Sequence, residues 1–286
     1  MILVTGASGN AGGAVLSDLR SKGIPLRGMY RSHEDAGKAP PGVDTVIADF
    51  ASPESLKRAL TGIDMVYLVC APIPGLVELE SNMIDACRQC DVKHLILNSA
   101  LGAADYSKSF PAWHRKVEDK LRTSQLGFTI LRPNSFMQNI VWFFAPSIRE
   151  QGAFYLAMGD ARTSFLDLRD IAAVVARLAT SPGEHLGKTY ELNGPEALTH
   201  AELAQRMTRI CGRPVKFVDI PEAAQRRAML DMGMPEWRVE ALLDLQRYYT
   251  NGQGDEVTEV LPQLLGRPAT KIDTFLEEFK NSFRSS

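Results

Sequence analysis

Three glycines set three residues apart, Gly6, Gly9 and Gly12, stand between the apolar run Ile2-Leu3-Val4 and a helical pattern over residues 10–19. Each suits glycine for its own reason. The chain turns sharply, a bulky phosphate needs bare main chain, and the new helix must lie close on the strand. The first turn of that helix has unpaired N–H groups and a partial positive charge, so a pyrophosphate can sit there. With a strand signal before and a helix signal after, the spacing assigns Thr5, Gly6, Ala7, Ser8, Gly9, Asn10, Ala11 and Gly12 to a dinucleotide cradle.

The elements that would position such a cradle follow in order. Strand signals fall at residues 25–30, 43–47, 64–70, 93–98 and 128–131, with helix signals between them, the longest over 76–90 and 111–124. The run Met65-Val66-Tyr67-Leu68-Val69 is almost continuously apolar, as in a strand covered on both faces. This alternation predicts an α/β fold with a Rossmann-type doubly wound parallel sheet, whose ligands bind beyond the carboxyl ends of the strands. Past residue 133 strands become sparse (153–158, 164–167, 189–192, 215–219) and helices dominate (171–180, 199–211, 222–249, 272–283). We read residues 1–133 as the dinucleotide-binding domain. Residues 134–286 read as a smaller, mostly helical C-terminal lobe, with chain crossings back to the first domain.

Composition narrows the function classes. The chain has 286 residues, 45% hydrophobic and 23% charged, with a net charge of −2. That balance is globular and lacks the basic face that nucleic-acid binding needs. The apolar stretch 136–146 is too short to span a membrane, and no signal peptide precedes the first strand, so a cytoplasmic location is expected. Four cysteines do not make a disulfide framework; Cys87 and Cys90 read as neighbours on a helix. The five histidines have no metal-ligand spacing, so no metal is expected. A homodimer is compatible with the sequence, which does not require one.

The end of the second strand bears on NAD against NADP. Arg31 and Ser32 stand there in place of an acid, which suits a 2′-phosphate and favours NADP(H) over NAD(H), although Glu34 and Asp35 follow closely. Asp49 and Phe50, after the third strand, are placed near the adenine, with a helix cap as the alternative for Asp49. Cys70, Ala71 and Pro72 follow the fourth strand and let the backbone approach a cofactor. Ser99 follows the fifth. Pro133, Asn134 and Phe136 follow the sixth, where a nicotinamide should lie: Asn134 to bond its carboxamide, Phe136 to wall the ring. Trp142, Phe143 and Phe144 read as core packing before a substrate pocket.

The glycine loop, Tyr30-Arg31, Asp49, the segment Leu131-Arg132-Pro133-Asn134-Ser135-Phe136-Met137-Gln138-Asn139, Phe165 to Ala172, and Tyr190 to Pro195 together resemble the NmrA-like family of atypical short-chain dehydrogenases/reductases. The resemblance covers nearly the whole chain and implies the Rossmann fold and dinucleotide binding. The branch it most resembles holds bacterial quinone, azo-dye and triphenylmethane-dye reductases, which implies hydride transfer to a quinone-like aromatic small molecule. The family also holds cofactor sensors, so a non-catalytic NADP(H)-sensing protein that binds a partner is the alternative.

Ordinary short-chain dehydrogenases pair a Tyr with a Lys four residues on, the Lys lowering the Tyr pKa. Here the residues four places after the seven tyrosines are Glu34, Ala71, Phe110, Gly159, Gly194, Gly252 and Gln253, so that dyad is absent. His114 stands where related plant reductases carry a catalytic Lys, and the resemblance makes it the candidate for contacting the nicotinamide ribose or donating a proton; a helix-surface histidine is the alternative. Lys116 and Glu118 read as a solvated face. Without the dyad, position and a dry pocket would carry hydride transfer to an electron-poor acceptor.

Overall fold

The computed structural model describes residues 1–106 and 108–284. In chain order the elements are β1 (Ile2–Val4), α1 (Asn10–Ser21), β2 (Leu26–Tyr30), α2 (His33–Ala36), β3 (Asp44–Ile47), α3 (Pro53–Ala59), β4 (Met65–Leu68), α4 (Leu76–Gln89), β5 (His94–Asn98), α5 (Ser109–Arg122) and β6 (Gly127–Pro133). A π-helical turn (Ile140–Phe144) leads into α6 (Ala145–Gln151), β7 (Ala153–Leu156), β8 (Arg162–Thr163), α7 (Leu168–Thr180), β9 (Lys188–Leu192), β10 (Leu198–Thr199), α8 (His200–Cys211) and β11 (Lys216–Asp219). The chain ends in α9 (Glu222–Asp231), α10 (Glu236–Thr250), α11 (Val260–Leu265) and α12 (Ile272–Phe279).

The chain divides into two compact units. The first comprises residues 1–104, 112–132 and 168–191; the second comprises 105–111, 133–167 and 192–286. In the first, seven strands run in the order β3-β2-β1-β4-β5-β6-β9, and β1 to β6 pair in parallel. The order reverses between β1 and β4, where Val4 lies opposite Tyr67. In such sheets this is the switch point whose carboxyl ends open a crevice. Helices flank the sheet, with α1 on α7 and α3 on α4. Leu3, Val66, Leu68, Leu95 and Leu97 are 0% exposed and form the sheet side of the core. The Rossmann-type α/β architecture is therefore present.

The second unit has two small sheets, β7 with β11 in parallel and β8 with β10 antiparallel. Its core gathers Ile140, Ile148, Phe154, Leu203, Met207, Phe275 and Leu276. Three expectations are corrected here. The helix read over 222–249 is two, because Gly233 takes a left-handed φ of +80° and Pro235 cannot continue a preceding turn. The strand read at 164–167 does not form as such: the paired residues are Arg162–Thr163, just before it, and 164–167 keep one bridge from Leu166 to Phe136, because the Ser164 N–H and carbonyl are taken by Gly254 and Gly194. The last helix ends at Phe279 and tightens into a 3₁₀ turn over Lys280–Phe283. Of the aromatic triplet, only Phe144 joins the core, stacked 4.6 Å from Phe154; Trp142 and Phe143 are 39% and 58% exposed. No helix among the described residues is long and apolar enough to cross a membrane.

Candidate dinucleotide site

The glycine loop is locked before any ligand arrives. The buried Thr5 hydroxyl is held by β4 and the residues after it: it donates to the Val69 carbonyl (2.9 Å) and accepts from the Val69 N–H (2.8 Å). Its role is to fix the switch point, since no proton is left for a ligand. Gly6 has φ +56°, and the Gly9 N–H donates back to its carbonyl at 2.8 Å. A Cβ on Gly12 would lie 2.2 Å from that same carbonyl oxygen, so only a bare Cα lets α1 come this close. Ser8, Gly9 and Asn10 are exposed, α1 has no side-chain cap, and its first turn holds no acid. The opening N–H groups of a twelve-residue helix are thus left for an anion, and the cradle fits a pyrophosphate.

Beside it, Arg31 is exposed and makes no ion pair among the described residues. Ser32 caps α2 by accepting from the Asp35 N–H at 3.0 Å. Asp49 is exposed; its carboxylate takes the Ala51 N–H (2.8 Å), so it closes a local turn, while Ser52 occupies the cap position of α3. Phe50 departs from the picture of a ring flanking a base. It is 9% exposed and packs into the sheet core. Cys70 is half-buried, and burial first, then the nearby Glu80, pushes its thiol up to about 12. Ala71 and Pro72 are exposed. Glu80 is 0% exposed; burial pushes its carboxyl well above the usual range, and the Cys70 N–H eases this only slightly, for neither oxygen makes a well-formed hydrogen bond.

At the end of β5 the structure assembles a lock that the sequence hid. Ser99 donates to Glu118 at 2.6 Å, and Arg132 grips the same carboxylate twice, at 2.9 and 2.7 Å. Arg132 also reaches Glu191 at 3.1 Å. Glu118 is 1% exposed, which corrects its reading as a solvated residue; only Lys116 of that pair is exposed. Burial raises the Glu118 carboxyl, but the bonds from Arg132 and Ser99 and the guanidinium charges outweigh it and hold the group below its ordinary range. His114, one turn earlier, is 7% exposed, so it is not a surface histidine. Burial pushes its imidazole down to about 4 against the pull of Glu118, and its Nδ1 has no hydrogen-bond partner.

In the second unit, Asn134 is fully engaged. Its amide nitrogen faces Ser164 Oγ (2.8 Å), Asn193 Oδ1 (3.0 Å) and the Gly254 carbonyl (3.0 Å), while its Oδ1 accepts from the Ser135 N–H (2.7 Å). That leaves no donor for a carboxamide; Asn134 is a knot between distant segments. Pro133 is buried and Phe136 half-buried. A cavity of ≈ 580 Å³ lined by Met158, Asp160, Arg162, Asp219 and Asp255 contains none of the sequence-predicted residues. No cluster able to hold a metal occurs among the described residues.

The sequence profile of the NmrA-like family matches residues 1–279. The chain belongs to the NmrA-like family. Among its relatives, the NAD(P)H azoreductase of Xenophilus azovorans is 34% identical over 99% of both chains. A (4-alkanoyl-5-oxo-2,5-dihydrofuran-3-yl)methyl phosphate reductase of Streptomyces griseus is 32% identical, again over 99% of both. The NADPH-dependent quinone oxidoreductase of Escherichia coli, solved with NADPH, superposes with a TM-score of 0.89 at 28% identity, over 98% of this NmrA-like chain and 99% of the other.

Proposed function

We propose that this chain is an NAD(P)H-dependent reductase that passes hydride to a quinone, an azo dye or a similar electron-poor acceptor. The observation that carries the reading is the pre-locked loop with its uncapped helix start, on a chain whose full-length relatives are named reductases. Gly6 to Gly12 hold the pyrophosphate through main chain, with Thr5 positioning them. Arg31, exposed and unpaired, is the cation for a 2′-phosphate and favours NADPH; Ser32 beside it faces the ribose. Asp49 is the exposed acceptor for an adenine amine, and Phe50 supports it from the core. Cys70, Ala71 and Pro72 border the cradle. The first compact unit is the dinucleotide-binding domain.

When bound, the reduced nicotinamide supplies the hydride. The protein supplies position and exclusion of water. His114 is neutral at pH 7 because its imidazole protonates only near 4. It therefore presents an N–H or a lone pair and holds no spare proton, and the proton that completes reduction comes from water. Ser99 orients Glu118 and α5. Pro133 and Phe136 are assigned to the nicotinamide from their place at the end of β6 and just after it, with Asn134 acting through the main chain it ties down.

The test is NADPH oxidation with menadione and with an azo dye. Turnover with either supports the reading. Tight dinucleotide binding with no turnover across a broad acceptor panel overturns it in favour of a sensor. Arg31→Ala is expected to lower affinity for NADPH about tenfold or more while leaving NADH little changed.

A further inference from the structure

We propose that Asp35 sets the cofactor choice of this chain by fixing the direction of the Ser32 hydroxyl hydrogen bond, so that NADH stays usable beside NADPH. This rests on the dinucleotide reading above and deepens it.

The Ser32 hydroxyl lies 2.9 Å from Asp35 Oδ2. An ionised carboxylate only accepts, so the hydroxyl proton of Ser32 must point at Asp35. The same oxygen already accepts from the Asp35 N–H at 3.0 Å. What Ser32 has left to offer a ligand is a lone pair. A ribose hydroxyl, which donates, finds a partner there. A 2′-phosphate, which only accepts, does not, and it also meets the Asp35 carboxylate behind the serine.

The local charge agrees. Between residues 31 and 38 the bases Arg31 and Lys38 are matched by the acids Glu34 and Asp35, so the segment has no net charge. Lys38 is engaged by Glu34 at 2.8 Å and lies 3.7 Å from Asp35. Arg31 alone is unpaired and must attract the phosphate by itself. An amide at position 35 removes the charge and offers an N–H that donates to Ser32 Oγ, which releases the hydroxyl proton toward the ligand.

Direct titration of the full chain with NADPH and with NADH, by calorimetry or fluorescence, tests this in the unaltered protein, in Asp35→Asn, and in Asp35→Asn combined with Ser32→Ala. Asp35→Asn is expected to shift the Kd ratio toward NADPH by roughly tenfold, from one removed like charge and one gained donor. Adding Ser32→Ala is expected to take back the share of that gain owed to the donor. A ratio within twofold of the unaltered protein in Asp35→Asn overturns the proposal, as does a gain left undiminished by Ser32→Ala. Binding of neither dinucleotide by the unaltered chain removes the underlying reading as well.

Discussion

Ser99 donates its hydroxyl proton to Glu118 across 2.6 Å, inside the first compact unit. A serine at the end of β5 would otherwise be a natural proton donor to a substrate oxygen. Here its proton is committed to a carboxylate that Arg132 already holds in two-point contact. Ser99→Ala is therefore expected to lower kcat less than about fivefold and to cost about 1 kcal/mol of stability. A hundredfold fall in kcat with unchanged stability would show that the hydroxyl serves the reaction directly.

Removing the cation should be far worse for the fold. Arg132→Met leaves Glu118 buried with one hydroxyl and the more distant Arg122, at 3.4 Å, as partners. A loss of roughly 3–5 kcal/mol in denaturant unfolding is expected. Adding Glu118→Gln to Arg132→Met should recover part of it, because the buried charge is gone.

Gly12→Ala tests the cradle. The added methyl would lie 2.2 Å from the Gly6 carbonyl oxygen and 2.6 Å from that of Thr5, both main-chain atoms that cannot swing aside. Expected outcomes are a stability loss of about 1–3 kcal/mol and a fall in dinucleotide affinity above tenfold. Gly23→Ala, where a Cβ meets open space but φ is +66°, separates backbone strain from the close approach and should leave affinity unchanged.

Acid should unfold the protein through its buried histidines. His200 sits against the rings of Phe144, Phe154, Phe165 and Phe217, and burial pushes its imidazole down to about 4, as it does for His114. In the unfolded chain each takes its proton near 6.5, so below that pH the unfolded state binds more protons. Stability is complete above 6.5 and falls as pH drops toward 4, by about 2 kcal/mol per histidine at pH 5. Melting curves at pH 7 and 5 should show this drop, and His200→Leu should reduce it.

Glu80 works in the opposite sense. Its folded-state carboxyl titrates well above 4.5, so stability is complete below that value and declines as pH rises and the unfolded chain ionises first. Glu80→Gln should melt above the unaltered protein at pH 8, with the difference vanishing toward pH 4.5. An equal difference at both pH values would mean that Glu80 is not the titrating group.

What the sequence revealed was what local spacing encodes. Gly6, Gly9 and Gly12 announce their turn because each is a main-chain requirement within a few residues of the next. The first six strands lie within two residues of their expected ends, and β4 stops at Leu68 because the Val69 N–H turns to the Thr5 hydroxyl and leaves the ladder. Glu118 was illegible for a different reason. It carries the spacing of a surface acid, and only Ser99 and Arg132, nineteen and fourteen residues away, make its burial tolerable. Asn134 reads from sequence as a carboxamide donor, but Ser164, Asn193 and Gly254 take its amide through folds of the chain that no periodicity announces.

The return of residues 168–191 to the first unit has a consequence for biosynthesis. When residue 133 leaves the ribosome, all six parallel strands exist, yet the neighbour of β6 in the finished sheet, β9, is not made, and neither is α7, which packs on α1. At about 5–20 residues per second, the 58 residues from 133 to 191 keep that edge bare for roughly 3–12 s. A nascent chain with an open β-edge for that long is a natural client for a holding chaperone, and a synonymous change that slows translation in this interval should cost yield without altering a single side chain.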